Sequence, residues 1–316
     1  MHKKPMVIIA GPTAVGKTEI SIRLAKLLGG SVISADSMQV YKYMDIGSAK
    51  IRKEEMEGIP HYLVDCLYPE EEFHVARFCE MAKEALNEIY SQGRIPIIVG
   101  GTGFYIQALL YDIDFNEEPE SQEYRATLEQ LAKEKGADVL YEMLREVDPK
   151  SCETIHKNNI KRVIRALEFY HVNKTPISAH NEEQKRKESP YNFAFFVLTD
   201  ERELLYQRID KRVDIMIEKG LVNEVQFLKD KGYHRNMVSM QGLGYKEILS
   251  YLEGEMTLEE AIYIIKRDTR HFAKRQITWF KREPDVIWLN RSKFNQNTDL
   301  MIEEAMRVMR EKGITR

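Results

Sequence analysis

The stretch VIIAGPTAVGKTEISIRLAKLLGG, residues 7–30, decides the fold. It begins with a short continuous apolar run that ends at Gly11, as in a strand that is buried on both faces of a parallel sheet. From Lys17 onward the apolar residues fall on one face of a helix, which Gly29 and Gly30 end. The stretch therefore predicts a strand, a glycine-bounded loop and a helix.

The loop GPTAVGKT, residues 11–18, matches the phosphate-binding pattern G-x-x-x-x-G-K-[ST] in the strand–loop–helix context that the pattern requires. Its glycines allow a tight turn whose backbone N–H groups form an anion nest, and the N-terminus of the helix adds partial positive charge. Lys17 can reach the terminal phosphate, and Thr18 can hold Mg²⁺. The pattern predicts a phosphate-binding loop and leaves open which phosphate compound binds.

Strand patterns alternate with helix patterns along most of the chain. This alternation predicts an α/β fold, a P-loop NTPase-like three-layer parallel sheet. The further predicted strands are residues 31–35, the run that ends at Val99, 193–198 and 285–289, and the further predicted helical segments are 74–90 and 201–231.

Residues 113–190 differ from the sequence on either side, because they are helical in pattern, highly charged and poor in strand signals. They predict a helical insertion domain that interrupts a core domain formed by residues 1–112 and 191–316. The whole chain of 316 residues is 43% hydrophobic and 31% charged, with a net charge of -3, which is ordinary for a folded soluble domain. That balance neither supports nor excludes nucleic-acid binding, since a local basic face would suffice.

Cysteine and hydropathy patterns limit the class of protein further. Cys66, Cys79 and Cys152 are odd in number and lack C-x-x-C spacing, which argues against a disulfide framework or a zinc site. No apolar run approaches the length of a membrane span, and the first residues do not match a signal peptide. We expect a cytoplasmic protein with no membrane partner.

A carboxylate near the loop is expected, and the sequence provides one after the second predicted strand. Proteins that hydrolyse or transfer from ATP or GTP normally carry an Asp at the end of a neighbouring strand, but Val99 is followed by Gly100, Gly101 and Thr102. Asp36 stands instead where the carboxyl ends of parallel strands face the ligand crevice. Its alternative role is a turn or helix cap, and we favour function because position and charge agree.

The sequence resembles the bacterial tRNA dimethylallyltransferases, which attach a five-carbon isoprenoid to an adenine next to the anticodon. The resemblance rests on seven blocks in order along nearly the whole chain. They are GPTAVGKT (11–18), ADSMQVYKYMDIGSAK (35–50), GGTGFYIQALL (100–110), RVIRALE (162–168), RVDIMIEKGLVNEV (212–225), GLGYKE (242–247) and TRHFAKRQITWF (269–280).

The resemblance implies that the loop holds the diphosphate of dimethylallyl diphosphate, and not a nucleotide that is hydrolysed. The adenine's exocyclic amine would attack the first allylic carbon, and the residue that matches Asp36 would accept its proton. Lys17 and a Mg²⁺ on Thr18 would stabilise the departing diphosphate. Arg212 is a candidate second diphosphate clamp. Its alternative is a solvated helix arginine, since Arg208 lies one turn earlier.

The resemblance also assigns residues to each substrate. A monomer is our expectation, although the sequence does not determine the oligomeric state. Residues assigned to catalysis are Asp36, Lys17 and Thr18, the last also as the metal ligand. Those assigned to the diphosphate are Gly11, Thr13, Ala14, Val15, Gly16, Lys17, Thr18 and Arg212. Those assigned to tRNA, through its anticodon stem-loop, are Asp36, Ser37, Met38, Gln39, Thr102, Lys161, Arg162, Arg165, Gln241, Gly244 and Lys246.

Three alternatives stay open at this point. An adenylate isopentenyltransferase would use the same donor on a free nucleotide, although it does not need an RNA-binding insertion. A small-molecule P-loop kinase would place an arginine-bearing lid over the phosphates. A non-catalytic RNA-binding module would carry a vestigial loop, although Gly16, Lys17, Thr18 and Asp36 are intact. The segment 269–282 either contacts RNA or is an amphipathic helix that buries its aromatic residues.

Overall fold

The computed structural model describes residues 3–115, 120–185 and 187–315. The chain forms two compact units. We call Met1–Leu110 with Pro190–Arg316 the core unit, and Tyr111–Ser189 the insertion unit.

The described residues of the core unit form a six-stranded parallel sheet with the strand order β3-β2-β4-β1-β5-β6. The predicted parallel α/β sheet is therefore confirmed. Its strands are β1 (Lys4–Ala10), β2 (Ser31–Ser34), β3 (His61–Tyr62), β4 (Pro96–Gly100), β5 (Tyr191–Thr199) and β6 (Val286–Asn290).

Helices cover the sheet in the core unit and make up most of the insertion unit. In chain order they are α1 (Lys17–Leu28), α2 (Val75–Ser91), α3 (Gly103–Leu110), α4 (Glu120–Lys135), α5 (Ala137–Val147), α6 (Pro149–Cys152), α7 (Ile160–Asn173), α8 (Ile177–Lys185), α9 (Arg202–Glu218), α10 (Leu221–Asp230), α11 (Tyr245–Leu252), α12 (Leu258–Phe280) and α13 (Thr298–Glu311). Helices α4 to α8 belong to the insertion unit.

Strand β1 lies in the centre of the sheet because its side chains can be buried on both faces. Met6 to Ala10 are fully buried, and Val7 lies between Ile97 of β4 and Ala194 of β5. Such burial removes apolar surface from water on both sides of one strand. The loop that leaves the carboxyl end of β1 therefore starts from a rigid position.

The predicted helical segment 201–231 consists of two helices, since it contains a glycine that ends the first one. Gly220 adopts a φ of 97°, in the left-handed region that a glycine enters without the steric cost of a Cβ atom. Helix α9 ends just before it and α10 begins just after it. The break separates α9, which packs against α12, from α10, which packs against α11.

The insertion unit has a core of its own. Buried Leu128, Leu140 and Leu144 pack against Val163 of α7. Buried Glu168 accepts two hydrogen bonds from the Arg125 guanidinium, at 2.8 and 2.7 Å, which ties α4 to α7. Among all the residues that the structure describes, no helix is both long and apolar enough to cross a bilayer.

Candidate active site

The loop after β1 has the tight geometry that its glycines predict. Gly11 and Gly16 have φ values of 140° and 92°, and a Cβ atom on Gly11 would lie 2.5 Å from the carbonyl oxygen of Leu198. Within the described chain no side chain caps the start of α1. The first amides of α1 are therefore available to an anion, to which the helix N-terminus adds its partial positive charge.

A cavity of about 560 Å³ lies at the carboxyl ends of β1, β2 and β4, within the core unit. It brings together most of the residues that the sequence analysis assigned to the two substrates. Those that line it are Thr13, Ala14, Val15, Gly16, Lys17, Thr18, Asp36, Ser37, Met38, Gln39, Thr102, Arg212, Gln241, Gly244 and Lys246.

Four assigned residues are not among those that line the cavity. Gly11 packs against the backbone of Leu198. Lys161 and Arg162 are exposed and Arg165 is half-buried on the first turns of α7, in the insertion unit. The assignment of these cations to tRNA stays a prediction.

We call residues 11–18 together with Arg212 the P-loop wall of the cavity. Lys17 donates from Nζ to the carbonyl oxygens of Gly11 at 3.0 Å and Pro12 at 2.8 Å. Burial lowers the pKa of Lys17 to about 8, an effect that Asp36 opposes and Arg212 adds to. A phosphate oxygen that replaced the two neutral carbonyls would bring a full negative charge to this ammonium.

Arg212 and Arg208 lie one turn apart on α9 but have different surroundings. Arg208 forms an ion pair with buried Asp200 at 2.7 Å and donates to Gln296, whereas Arg212 lines the cavity. Burial lowers the pKa of Arg212, and Asp36 opposes that shift. Among the described residues Arg212 has no ion pair or hydrogen bond, so its guanidinium is available to a ligand.

The structure shows the turn-capping contact of Asp36, and its functional role stays a prediction. Its Oδ1 accepts a hydrogen bond from the backbone N–H of Met38 at 2.9 Å, which is the turn-capping role. The same side chain lines the cavity. One oxygen therefore holds the carboxylate in orientation while the group remains able to accept a proton from a ligand.

We call residues 36–39 and 47–49 the β2 wall, because they follow β2 and line the same cavity. Glu224 of α10 supports this wall from behind by accepting hydrogen bonds from the amides of residues 45, 46 and 47, at 2.9, 2.7 and 3.1 Å. The Tyr245 hydroxyl donates to the same carboxylate at 2.7 Å. Burial, then Glu224, holds the pKa of Tyr245 well above its usual value, so the phenol stays a donor.

The part of the cavity formed by residues 238–246 includes the assigned residues Gln241, Gly244 and Lys246. Gly244 has a φ of 94°, and its N–H donates to Glu247 at 2.8 Å. The Gln241 side chain donates to the carbonyl of Arg235, and Lys246 lies 3.4 Å from a Glu247 carboxylate oxygen. These contacts fix the start of α11 beside the β2 wall.

The sequence analysis missed Gln276, which links the loop after β1 to the loop after β4. Its Oε1 accepts from the backbone N–H of Thr13 at 3.1 Å, and its Nε2 donates to the carbonyl of Gly101 at 2.9 Å. The side chain is buried among Ala273 and Phe280 on the apolar face of α12. A polar residue on that face needs a buried partner, and this was the signal that could have revealed it.

The basic and aromatic segment 269–282 divides between core and surface. Phe280 is buried, and Arg270 pairs with Asp210 at 2.6 Å. Phe272 lines the cavity, and Arg275 is exposed beside it. The hypothesis of an amphipathic helix is therefore correct for Phe280, and the RNA contact of this segment stays a prediction.

The residues present fit a magnesium ion that is shared with a diphosphate. The described residues contain no group of three or more His, Cys, Asp or Glu side chains that could hold a metal alone. Thr18 is exposed at the start of α1 and Asp36 lines the same cavity. Mg²⁺ characteristically uses one or two protein ligands together with substrate phosphates.

A parallel sheet with a P-loop after its first strand and its cavity at the carboxyl ends of the strands defines a P-loop NTPase-like α/β protein. The sequence model of the IPP transferase family matches residues 39–283, a range that starts after the P-loop and so is independent of that motif. The chain belongs to this family.

Curated relatives agree with the family match over nearly the whole chain. The tRNA dimethylallyltransferase of Lachnoclostridium phytofermentans is 59% identical over 311 residues, which are 98% of this chain and 99% of the relative. That of Acetivibrio thermocellus is 53% identical over 296 residues, 94% of this chain and 95% of the relative. The resemblance predicted from the seven sequence blocks is confirmed.

Solved structures share the fold. The tRNA delta(2)-isopentenylpyrophosphate transferase of Staphylococcus epidermidis is 41% identical and has a TM-score of 0.73. The match covers 98% of this chain and 100% of the S. epidermidis chain. A eukaryotic dimethylallyltransferase acting on tRNA is 33% identical and has a TM-score of 0.78. The match covers 91% of this chain and 74% of the eukaryotic chain. The predicted P-loop NTPase-like fold is confirmed.

Proposed function

We propose that the chain transfers a dimethylallyl group from dimethylallyl diphosphate to the exocyclic amine of the adenine 3′ of the anticodon in tRNA, and releases diphosphate. The names of its relatives support this activity. The observation that carries the proposal is that the P-loop wall and the β2 wall line one cavity. A diphosphate on one wall and a base on the other would meet inside it.

The chemistry follows from what each wall offers. The amine nitrogen forms a bond to the first allylic carbon while the bond from that carbon to the diphosphate oxygen breaks. The electron pair of the broken bond stays on the diphosphate, where Lys17, Arg212 and the amides at the start of α1 stabilise the added charge. Asp36 accepts the proton that the amine loses, in the orientation that the Met38 amide gives it.

A magnesium ion fits this proposal as a partner of the leaving diphosphate. Thr18 would hold it, and when bound it supplies further neutralisation of diphosphate charge. The protein's own cations, Lys17 and Arg212, supply the rest. We propose a monomeric enzyme, because residues of the core unit alone line the cavity that contains the groups assigned to the reaction.

We propose that the insertion, residues 113–190, is the tRNA-binding domain between core segments 1–112 and 191–316. The first turns of α7 carry Lys161, Arg162 and Arg165, with no ion pair to any of them among the described residues. Unpaired cations beside a helix N-terminus suit RNA phosphates. A substrate of this kind also supports a cytoplasmic location.

The experiment is a transfer assay with dimethylallyl diphosphate that carries radiolabel in its dimethylallyl carbons, together with Mg²⁺. Unmodified tRNA and AMP are offered in parallel. We expect label in tRNA and none in AMP. The matched control is the same tRNA with guanine in place of the adenine 3′ of the anticodon, which we expect to stay unlabelled.

The other outcomes correspond to the alternatives that the sequence left open. Label in AMP alone would identify an adenylate isopentenyltransferase and contradict the RNA assignments. Label in neither acceptor would contradict the transferase proposal, and a second assay with γ-labelled ATP would then test the kinase alternative. Equal label in the adenine and guanine tRNAs would contradict the assignment of the adenine 3′ of the anticodon as the acceptor.

A further inference from the structure

Three exposed aromatic side chains form a contiguous surface patch on the core unit. The Tyr43 ring lies 6.0 Å from that of Tyr68 and 5.8 Å from that of Phe227, between ring centroids. The three residues are 38%, 41% and 45% exposed. We call these rings, with Lys42 and Lys231, the Tyr43 platform.

Two ammonium groups lie over the rings of the platform. Lys42 Nζ is 3.9 Å from the centroid of Tyr68, and Lys231 Nζ is 5.3 Å from that of Tyr43 and 4.9 Å from that of Phe227. Cations in this position are attracted by the ring faces. Neither lysine forms an ion pair with another described residue, so both charges remain available to a ligand.

The carboxylates around the platform are already engaged. Glu71 accepts the backbone N–H of Tyr68 at 2.7 Å and pairs with Arg77 at 2.8 Å. Asp230 accepts from Gln226 at 2.7 Å, and Glu70 is hydrogen-bonded to Tyr233. Each of these carboxylates already takes part in a hydrogen bond, whereas Lys42 and Lys231 have no ion pair with a described residue, which suits an anionic ligand.

Tyr43 itself occupies a backbone conformation that disfavours a large side chain. Its φ is 67°, in the left-handed region where a bulky residue is an outlier and where glycine has no steric cost. Such outliers persist where the surrounding structure over-determines them, and they concentrate at functional positions. A glycine would adopt this backbone conformation with less strain. We therefore expect the tyrosine ring to have a function that a glycine could not provide.

The platform is continuous with the β2 wall. Tyr43 lies between Gln39 and Gly47, which both line the cavity. Helix α10 supports both features, because Glu224 holds the amides of residues 45–47 and Phe227, one turn further on, contacts Tyr43. The platform is thus carried by the loop and the helix that shape the β2 wall.

We propose that the Tyr43 platform binds a single-stranded nucleotide of the tRNA substrate, one that flanks the base held in the cavity. The base stacks on the exposed rings, and Lys42 and Lys231 contact its phosphates. Single-stranded RNA loops are recognised in this way, by stacking on aromatic side chains together with cations along the backbone. The inference rests on the proposed function, since that function supplies the RNA.

The test measures RNA binding without chemistry. Fluorescence anisotropy with a labelled, unmodified anticodon stem-loop gives the Kd for the wild type and for Tyr43→Gly, which relieves the positive φ and so leaves folding intact. We expect Tyr43→Gly to bind about 10-fold more weakly, the lower range for one stacked base. Tyr43→Phe keeps the ring, and its Kd is expected to stay within about twofold of the wild type.

Two further variants make the test specific. Tyr263→Ala is the matched control, because Tyr263 is an aromatic residue of α12 that is 63% exposed, and we expect its Kd to stay at the wild-type value. Lys231→Gln should reduce the slope of log Kd against log salt concentration by about one. The KM for dimethylallyl diphosphate should not change in any of the four variants.

Each outcome bears on one proposal. A Tyr43→Gly Kd equal to that of the wild type would overturn the platform, and label transfer by the wild type would leave the proposed function standing. A loss in Tyr43→Phe or Tyr263→Ala as large as in Tyr43→Gly would also overturn it, because stacking on this ring would not be the cause. RNA binding that depends on Tyr43 in a wild type that transfers no label would support the platform and contradict the proposed function.

Discussion

The two walls of the cavity keep their polar groups in opposite states. On the P-loop wall, Lys17 bonds only to neutral backbone carbonyls, and Arg212 has no partner among the described residues. On the β2 wall, Asp36 is oriented by the Met38 amide, and the Gln39 side chain donates to backbone carbonyls of residues 48 and 49. Under the proposed function, the wall that would receive the multiply charged diphosphate keeps its own charges available, and the wall that would orient the neutral base is hydrogen-bonded in advance.

The sharpest test of this contrast is Asp36→Asn. The amide oxygen can still accept the Met38 N–H, so the orientation of the side chain is kept, but the group no longer accepts a proton. We expect the single-turnover transfer rate to fall about 10³-fold. The Kd for tRNA, measured by filter binding, should change by less than about threefold, because a general base acts mainly in the transition state. Equal losses in rate and affinity would show that Asp36 is chiefly a binding residue.

Arg212→Gln and Arg208→Gln form a matched pair on one helix. We expect Arg212→Gln to lower kcat/KM for dimethylallyl diphosphate about 10²-fold, since it removes a charge that stabilises the leaving group. Arg208→Gln should leave kcat/KM unchanged and lower the free energy of unfolding by about 1–3 kcal/mol, because it leaves the buried Asp200 carboxylate without its cation. Urea denaturation measures the second effect. If activity were lost in Arg208→Gln and kept in Arg212→Gln, Arg212 would not be a residue that stabilises the leaving diphosphate.

Glu224→Gln tests whether the β2 wall depends on its support from behind. The amide nitrogen would face backbone N–H groups that the carboxylate now accepts, so the backbone at residues 45–47 should shift. We expect the KM for tRNA to rise about 10-fold, with the KM for the allylic donor unchanged. Tyr245→Phe removes one of the four donors to Glu224 and should cause a smaller rise. A change in the donor KM instead would mean that the two walls are not independent.

The smallest effect is a pH dependence confined to the P-loop wall. Burial lowers the pKa of Lys17 to about 8, so the charged form of the free enzyme is lost as the pH rises through that value. We expect kcat/KM for the allylic donor to fall about twofold from pH 7 to pH 8 and further above it. Arginine does not titrate in this range, so Lys17→Arg should show no such fall. The Kd for tRNA should be flat across the range, and a parallel change in it would assign the titration elsewhere.

Residues 11–18 of the P-loop wall could be predicted from sequence because their determinants are local. One buried apolar strand, two glycines and a helix lie within residues 7–30, and each pattern predicts the next element. Asp36 was found because strand ends converge in a parallel sheet. The family resemblance then linked these residues to a substrate, which the loop alone does not specify.

The long-range contacts that support the cavity could not be predicted, because their partners are distant in sequence. Glu224 is 179 residues from Asp45, whose amide it accepts, and Gln276 is 263 residues from Thr13. Arg208 and Arg212 are equivalent in helical pattern, and only the position of Asp200 separates them. Long-range pairing of polar side chains follows from how α9, α10 and α12 pack in the core unit, which periodicity does not specify.

The contacts of Gln276 make the residues allowed at positions 101 and 276 depend on each other during evolution. A Cβ atom at residue 101 would lie 2.1 Å from the Gln276 amide nitrogen, so Gly101→Ala alone pushes that side chain off the Thr13 amide. Shortening residue 276 alone instead leaves the amide of Thr13 and the carbonyl of Gly101 without their partner. Each change alone breaks the bridge between the two loops, and a second change at the other position does not restore it. Glycine at 101 and glutamine at 276 are therefore expected to be retained together among relatives.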